Sequence, residues 1–127
     1  MTKFIAIALG GALGAVLRYS AYLITAHFYQ SPAPLATWSV NLAGCLLIGF
    51  LAPAMGTLSM PESWRMFALV GFLGSFTTFS TFSLETLVLW QDGRMGLVLL
   101  NAAGSVLAGI ALVWLGMRLH AILFWAP

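Results

Sequence analysis

The sequence is short of charge. Asp, Glu, Lys and Arg together make up 6% of its 127 residues, where a soluble domain carries about 25%. A water-facing surface cannot be built from so few. Cysteine is nearly absent: the single Cys45 excludes an internal disulfide and, lying inside an apolar run, reads as a small buried hydrophobe. Histidine is limited to His27 and His120, both near expected helix ends. There is accordingly no Cys/His metal cluster, and no nucleophile–base pair or phosphate-cradling loop is present, which argues against an enzyme. The five basic residues are scattered and the net charge is only +2, so no basic stripe offers a footprint for nucleic acid.

What the chain has in abundance is apolar side chain, 61% of all residues. A chain this small buries only a modest share of its surface, so much of that apolar area must meet something other than protein. Lipid is the solvent that fits, and the expected location is the cell membrane, crossed several times. Met1, Thr2 and Lys3 precede an uncharged stretch from Phe4 to Leu17. A cleaved signal peptide would stop after such a stretch. Here the apolar character runs on to Leu23, so the segment reads as a retained first helix.

A membrane-crossing helix needs about 20 residues. Turn formers and charges divide the chain into four such lengths within one transmembrane domain, 1–127. The expected spans are 4–26, 36–55, 64–90 and 95–124, giving an all-α membrane protein. The loop after the first span contains His27, Gln30, Ser31, Pro32 and Pro34. Gly56, Thr57, Ser59, Pro61 and Glu62 end the second, and Gln91-Asp92-Gly93-Arg94 make a tight turn after the third. Trp38, Trp64, Trp90 and Trp125 lie near span ends, where interfacial aromatics belong. Gly10 and Gly14, and more loosely Gly104 and Ala108, have the small-residue spacing that lets helices approach closely in lipid.

Orientation is weakly encoded. Four spans put both termini and the middle loop on one side, with Lys3, Arg65 and Arg118; the other side has Arg94 and Arg18. The basic excess that sets topology is about one residue. Either that single charge orients the chain, or the chain inserts both ways up and an antiparallel two-fold dimer becomes possible.

Polar groups at membrane depth are functional suspects. Between Ser75 and Ser83 six of nine residues are hydroxyls and the rest are Phe76, Phe79 and Phe82. Following Gly71 and Gly74, this run predicts a break near the middle of the third helix. A break bares carbonyls for a cation and a helix N-terminus for an anion; the alternative is an intact helix whose hydroxyls bond back to the preceding turn. Phe79 and Phe82 share a helix face. They are core packing, or they turn positive ring edges to an anion and bind it weakly enough to release it. Asn41 is an amide donor to an anion or hydrogen-bond glue between helices. Arg18 snorkels to the interface or gathers anions at a pore mouth. Glu85 is a proton relay or an interfacial acid. Asn101 and Ser105, spaced i, i+4, extend a polar stripe or serve as packing glue.

Three ordered motifs carry a resemblance over nearly the whole chain. GSFTTFSTFSLE at 74–85 resembles the signature of the CrcB/Fluc fluoride channels. GGALGAVLRY at 10–19 is similar to that family's G-G-x-x-G-x-x-x-R element, and TWSVNLAG at 37–44 to its T-x-x-V-N-x-x-G element. The resemblance implies a dual-topology homodimer with antiparallel subunits and two pores along their interface. Its role would be passive export of fluoride, lowering the cytoplasmic level of an ion that enters as its neutral acid. It implies that Phe79 and Phe82 are the pore phenylalanines, with Asn41, Ser80, Thr81 and Ser105 in the pore, Arg18 in the vestibule and Glu85 after the polar track. The carbonyls of Gly74 and Thr77 would hold a central structural Na⁺ shared by both subunits. On the fourth helix the family often has Tyr, then Ser four and eight residues on. This chain has Asn101, Ser105 and Gly109, so the polar track there is altered.

Two other functions compete. A small multidrug-type proton-coupled exporter is also a short four-helix chain, but relies on an acid in its first helix, which is missing here. A non-transporting scaffold would explain the small-residue spacings but not the hydroxyl–phenylalanine run.

Overall fold

The computed structural model describes residues 1–29, 34–57 and 60–124. Gln30, Ser31, Pro32, Ser59 and Trp125, assigned above to loops and to an interface, lie outside the described residues. All four apolar lengths are helical: α1 Thr2–Phe28, α2 Leu35–Thr57, α3 Glu62–Gln91 and α4 Met95–Phe124. Each contains a window apolar enough to cross a membrane, and no strand occurs among the described residues. At 1.5 Å per residue, even α2 exceeds the roughly 30 Å hydrocarbon core. The chain is a multi-pass membrane protein.

The first three helices run one or two residues past their expected ends. A helix in lipid must satisfy its backbone internally, so the ladder continues into the polar flanks. Between α3 and α4 the turn closes at Gly93, whose φ of 72° suits glycine. At the opposite side Lys3 Nζ meets a Glu62 carboxylate oxygen at 2.6 Å, tying the start of α1 to the start of α3.

Two pairwise contacts organise the bundle. α1 lies on the first half of α3, and α2 lies on the second half of α4. The first contact uses the expected pair. A Cβ on Gly10 would sit 2.2 Å from the Phe67 carbonyl oxygen, and one on Gly14 2.3 Å from that of Phe72. The second contact was not anticipated. Gly49 lies against the Val113 carbonyl and Gly116 against that of Leu46, where a Cβ would stand at 2.1 and 2.3 Å. Gly104 and Ala108 instead line a small cavity between α2 and α4. A Cβ on Gly104 would meet only Leu100 of its own helix, so that looser pair does not bring two helices of the same chain together.

α3 and α4 are irregular in a way the composition does not announce. Met66–Leu73 and Leu100–Gly104 are wound as π-helix, a form that favours functional sites. α3 also breaks completely. Its first half ends at Phe76, Thr77 and Thr78 are extended, and the helix restarts at Phe79.

Candidate functional site

The break is stabilised by side chains from two other helices. Asn41 of α2 accepts from the Thr78 amide at 2.8 Å and donates to the Thr78 carbonyl at 3.0 Å. One side chain thus satisfies both backbone groups of an extended residue at membrane depth, the condition for tolerating a break there. Arg18 of α1 reaches the Thr77 carbonyl with Nη1 at 3.4 Å. Thr78 caps the restarted helix, its Oγ1 accepting from the Thr81 amide at 3.3 Å and donating to Thr81 Oγ1 at 3.0 Å.

Both readings of the hydroxyl run are partly realised. Thr77 Oγ1 bonds back to the Leu73 carbonyl and Ser83 Oγ to that of Phe79. Thr78 and Thr81 serve the break, and Ser80, exposed, lies 3.4 Å from Thr78 Oγ1. Phe79 and Phe82 stack with centroids 5.7 Å apart and planes at 30°. Phe79 is 80% exposed in the single chain, which is unlike core packing.

Asn41, Gly74, Thr77, Thr78 and Phe79 line one side of an open cavity of about 380 Å³. Sequence-predicted residues from two helices therefore converge on one surface. Thr78 was missed, although its signal was present: a hydroxyl directly ahead of a helix restart is the mark of an N-cap. Ser105 and Gly109 lie with Cys45 on a separate cavity of about 420 Å³, where Ser105 Oγ is buried without a hydrogen-bond partner.

Glu85 ends a chain of hydrogen bonds. Its Oε1 accepts from Thr37 Oγ1 at 2.9 Å, and Thr37 lies 2.7 Å from the Tyr22 hydroxyl. Thr37 has one hydroxyl hydrogen and spends it on Glu85, so Tyr22 donates to Thr37. Asn101 is fully buried and bonds Trp38 and Thr86. Trp38 is thus a bridge between α2 and α4 rather than a free interfacial ring. Trp64 and Trp90 keep about three-fifths of their surface exposed near the ends of α3 (60% and 63%).

The carbonyls assigned to Na⁺ can be judged on their geometry. Because the Thr78 amide turns to Asn41, it no longer closes a helical turn onto Gly74. Gly74, exposed, and Thr77 lie together on the cavity. The break releases the Gly74 oxygen, a neutral donor of the kind a hard monovalent cation takes, whereas the Thr77 oxygen already accepts from the Arg18 guanidinium. Among the described residues no group of three or more His, Cys, Asp or Glu could hold a metal.

The chain is thus a four-span membrane protein with a discontinuous third helix whose break is held by an asparagine and an arginine. The pattern of the family described as CrcB-like protein, Camphor Resistance (CrcB), matches residues 5–117, and the chain belongs to that family. It is 44% identical over 114 residues to a protein of Symbiobacterium thermophilum named fluoride-specific ion channel FluC 2, covering 89% of this chain and 93% of the relative. It is 44% identical over 121 residues to fluoride-specific ion channel FluC of Novosphingobium aromaticivorans, covering 94% and 96%. The FluC of Salinibacter ruber matches all 127 residues at 39% identity, with 96% of that relative covered.

Proposed function

We propose that the chain is a fluoride-selective channel that lets the ion leave the cytoplasm down its gradient, working as an antiparallel homodimer. The observation that carries this reading is the Phe79–Phe82 pair at the start of the restarted helix, stacked and, at Phe79, uncovered. A ring edge is electropositive without a full charge. It can replace part of an anion's hydration while binding loosely enough for exit. The helix N-terminus just before Phe79 adds positive potential, and the hydroxyls of Ser80 and Thr81 stand on the same turn. Ser105 offers a buried hydroxyl without a partner on the α4 side. Arg18, held at the Thr77 carbonyl, draws anions towards the break without lying in the track itself.

A second copy suits the exposed face bearing Gly74 and Phe79. The Gly74 and Thr77 carbonyls would hold Na⁺ between two such faces, and the ion, when bound, would supply charge that draws the two breaks together. Proton-coupled drug export is disfavoured, since α1 contains no acid.

The test is efflux from liposomes loaded with fluoride or chloride. The expected result is fluoride flux without chloride flux, and a severe loss of fluoride flux in Phe79→Ile and Phe82→Ile. Equal flux of the two halides would sink the selectivity claim, and unchanged flux in both variants would return the rings to packing.

A further inference from the structure

We propose that Asn101 is a positioning residue that holds Phe82 through Thr86, and that it offers nothing to the transported ion. This rests on the fluoride-channel reading above.

Asn101 is buried, and its amide has a fixed orientation. Asn101 sits in the π-helical turn Leu100–Gly104 and has no exposed surface. Trp38 Nε1, which can only donate, bonds its Oδ1. That fixes the amide's orientation and turns Nδ2 towards α3. There Nδ2 donates to Thr86 Oγ1 at 2.7 Å, with the Phe82 carbonyl on the same side at 3.5 Å. Thr86 spends its own hydroxyl hydrogen on that same carbonyl, at 2.7 Å, so it accepts from Asn101. The amide oxygen and one amide hydrogen are committed, and with no exposed surface Asn101 presents its remaining hydrogen to no open track.

The consequence falls on the phenylalanine pair. Phe79 follows directly after Thr78, which Asn41 holds. The Phe82 carbonyl is held by Thr86 and Asn101. Trp38, which locks Asn101, lies one turn before Asn41 on α2. One face of α2 therefore braces the pair from both ends, directly at the break and through α4 at Phe82. Ring edges select an anion only if they are held in place, and these two braces hold them.

The experiment uses the full chain in lipid vesicles, with fluoride efflux normalised to folded protein and fluorine NMR of para-fluorophenylalanine in place of Phe82. Asn101→Leu and Thr86→Val are each expected to lower flux by about tenfold, equivalent to about 1.4 kcal/mol. The double variant should be no worse than either, because both break one brace. Thr86→Ser, which keeps the hydroxyl, should retain wild-type flux. The fluorine resonance should move in Asn101→Leu and Thr86→Val and stay in place in Thr86→Ser. A loss in Asn101→Leu with full flux in Thr86→Val would make Asn101 a direct ligand and overturn the proposal. An unmoved resonance with unchanged flux would reduce the network to packing and overturn it equally. If wild-type protein passes no fluoride, the channel reading fails, and the resonance alone still decides whether Asn101 holds Phe82.

Discussion

Thr78 and Asn41 carry the most consequence per atom. An extended residue between two helical halves has an amide and a carbonyl that would otherwise be orphaned, and an orphan is expensive where no water reaches. Asn41 is the right length and has the right polarity at both ends: oxygen to the amide, nitrogen to the carbonyl. Aspartate has the same shape but no donor, so it would set a carboxylate oxygen against the Thr78 carbonyl. Asn41→Asp should therefore open the brace from one side. An interhelical bond of this kind is worth of order 1–2 kcal/mol, which is roughly tenfold in rate where the break limits passage. Fluoride efflux from vesicles would show that loss, and wild-type efflux would mean the break stands without the donor. Thr78→Ser, which keeps the capping oxygen, is expected to behave as wild type.

At the scale of elements, the fold rests on carbonyls that lie where side chains would be. Gly49 and Gly116 bring α2 and α4 to backbone contact, and the atoms in the way are main chain. They cannot rotate aside. Gly49→Ala is therefore expected to lower stability by about 1–3 kcal/mol, the range for overpacking a filled contact, read as an earlier transition on denaturant titration in detergent. Gly96, with nothing within 4 Å of a Cβ, is the control: Gly96→Ala should match or exceed wild type. A transition for Gly49→Ala at the wild-type position would mean that the two helices part easily. The contrast explains what was legible in the sequence. Gly10 and Gly14 announced themselves because both lie on one helix, four residues apart. Gly49 and Gly116 lie on different helices, and no spacing rule relates them. The four spans were legible from hydropathy and the break from its hydroxyl density. The π-helical turns were not, since an extra residue per turn is imposed by the neighbours and leaves no compositional trace. Asn41 showed itself as a polar residue in an apolar span, but its partner did not, because Thr78 meets it 37 residues away.

For the whole molecule the decisive quantity is the small difference in basic residues between its two ends. Lys3, Arg65 and Arg118 stand against Arg18 and Arg94, and Arg18 is drawn inward to the Thr77 carbonyl. Topology follows the basic excess in short loops and flanks, and here both counts are so small that a few substitutions can decide the outcome. An antiparallel pair requires both orientations in one membrane. In a Cys45→Ala background, Asp92→Cys in the exposed turn between α3 and α4 should be labelled by an impermeant maleimide from both sides, about half from each when neither orientation wins. Labelling from one side alone would leave a single orientation and no antiparallel partner. A second arm ties orientation to flux. Gln91→Arg and Asp92→Arg combined with Arg118→Gln give the turn side the basic excess and draw it to the cytoplasm, and Arg94→Gln widens the excess on the other side so that the termini go there instead. Each variant expressed alone should fail to release fluoride from cells, because all its copies point one way. Expressed together, they should restore release, since each supplies the orientation that the other lacks. Full release from either one alone would show that a parallel pair, or a single chain, suffices.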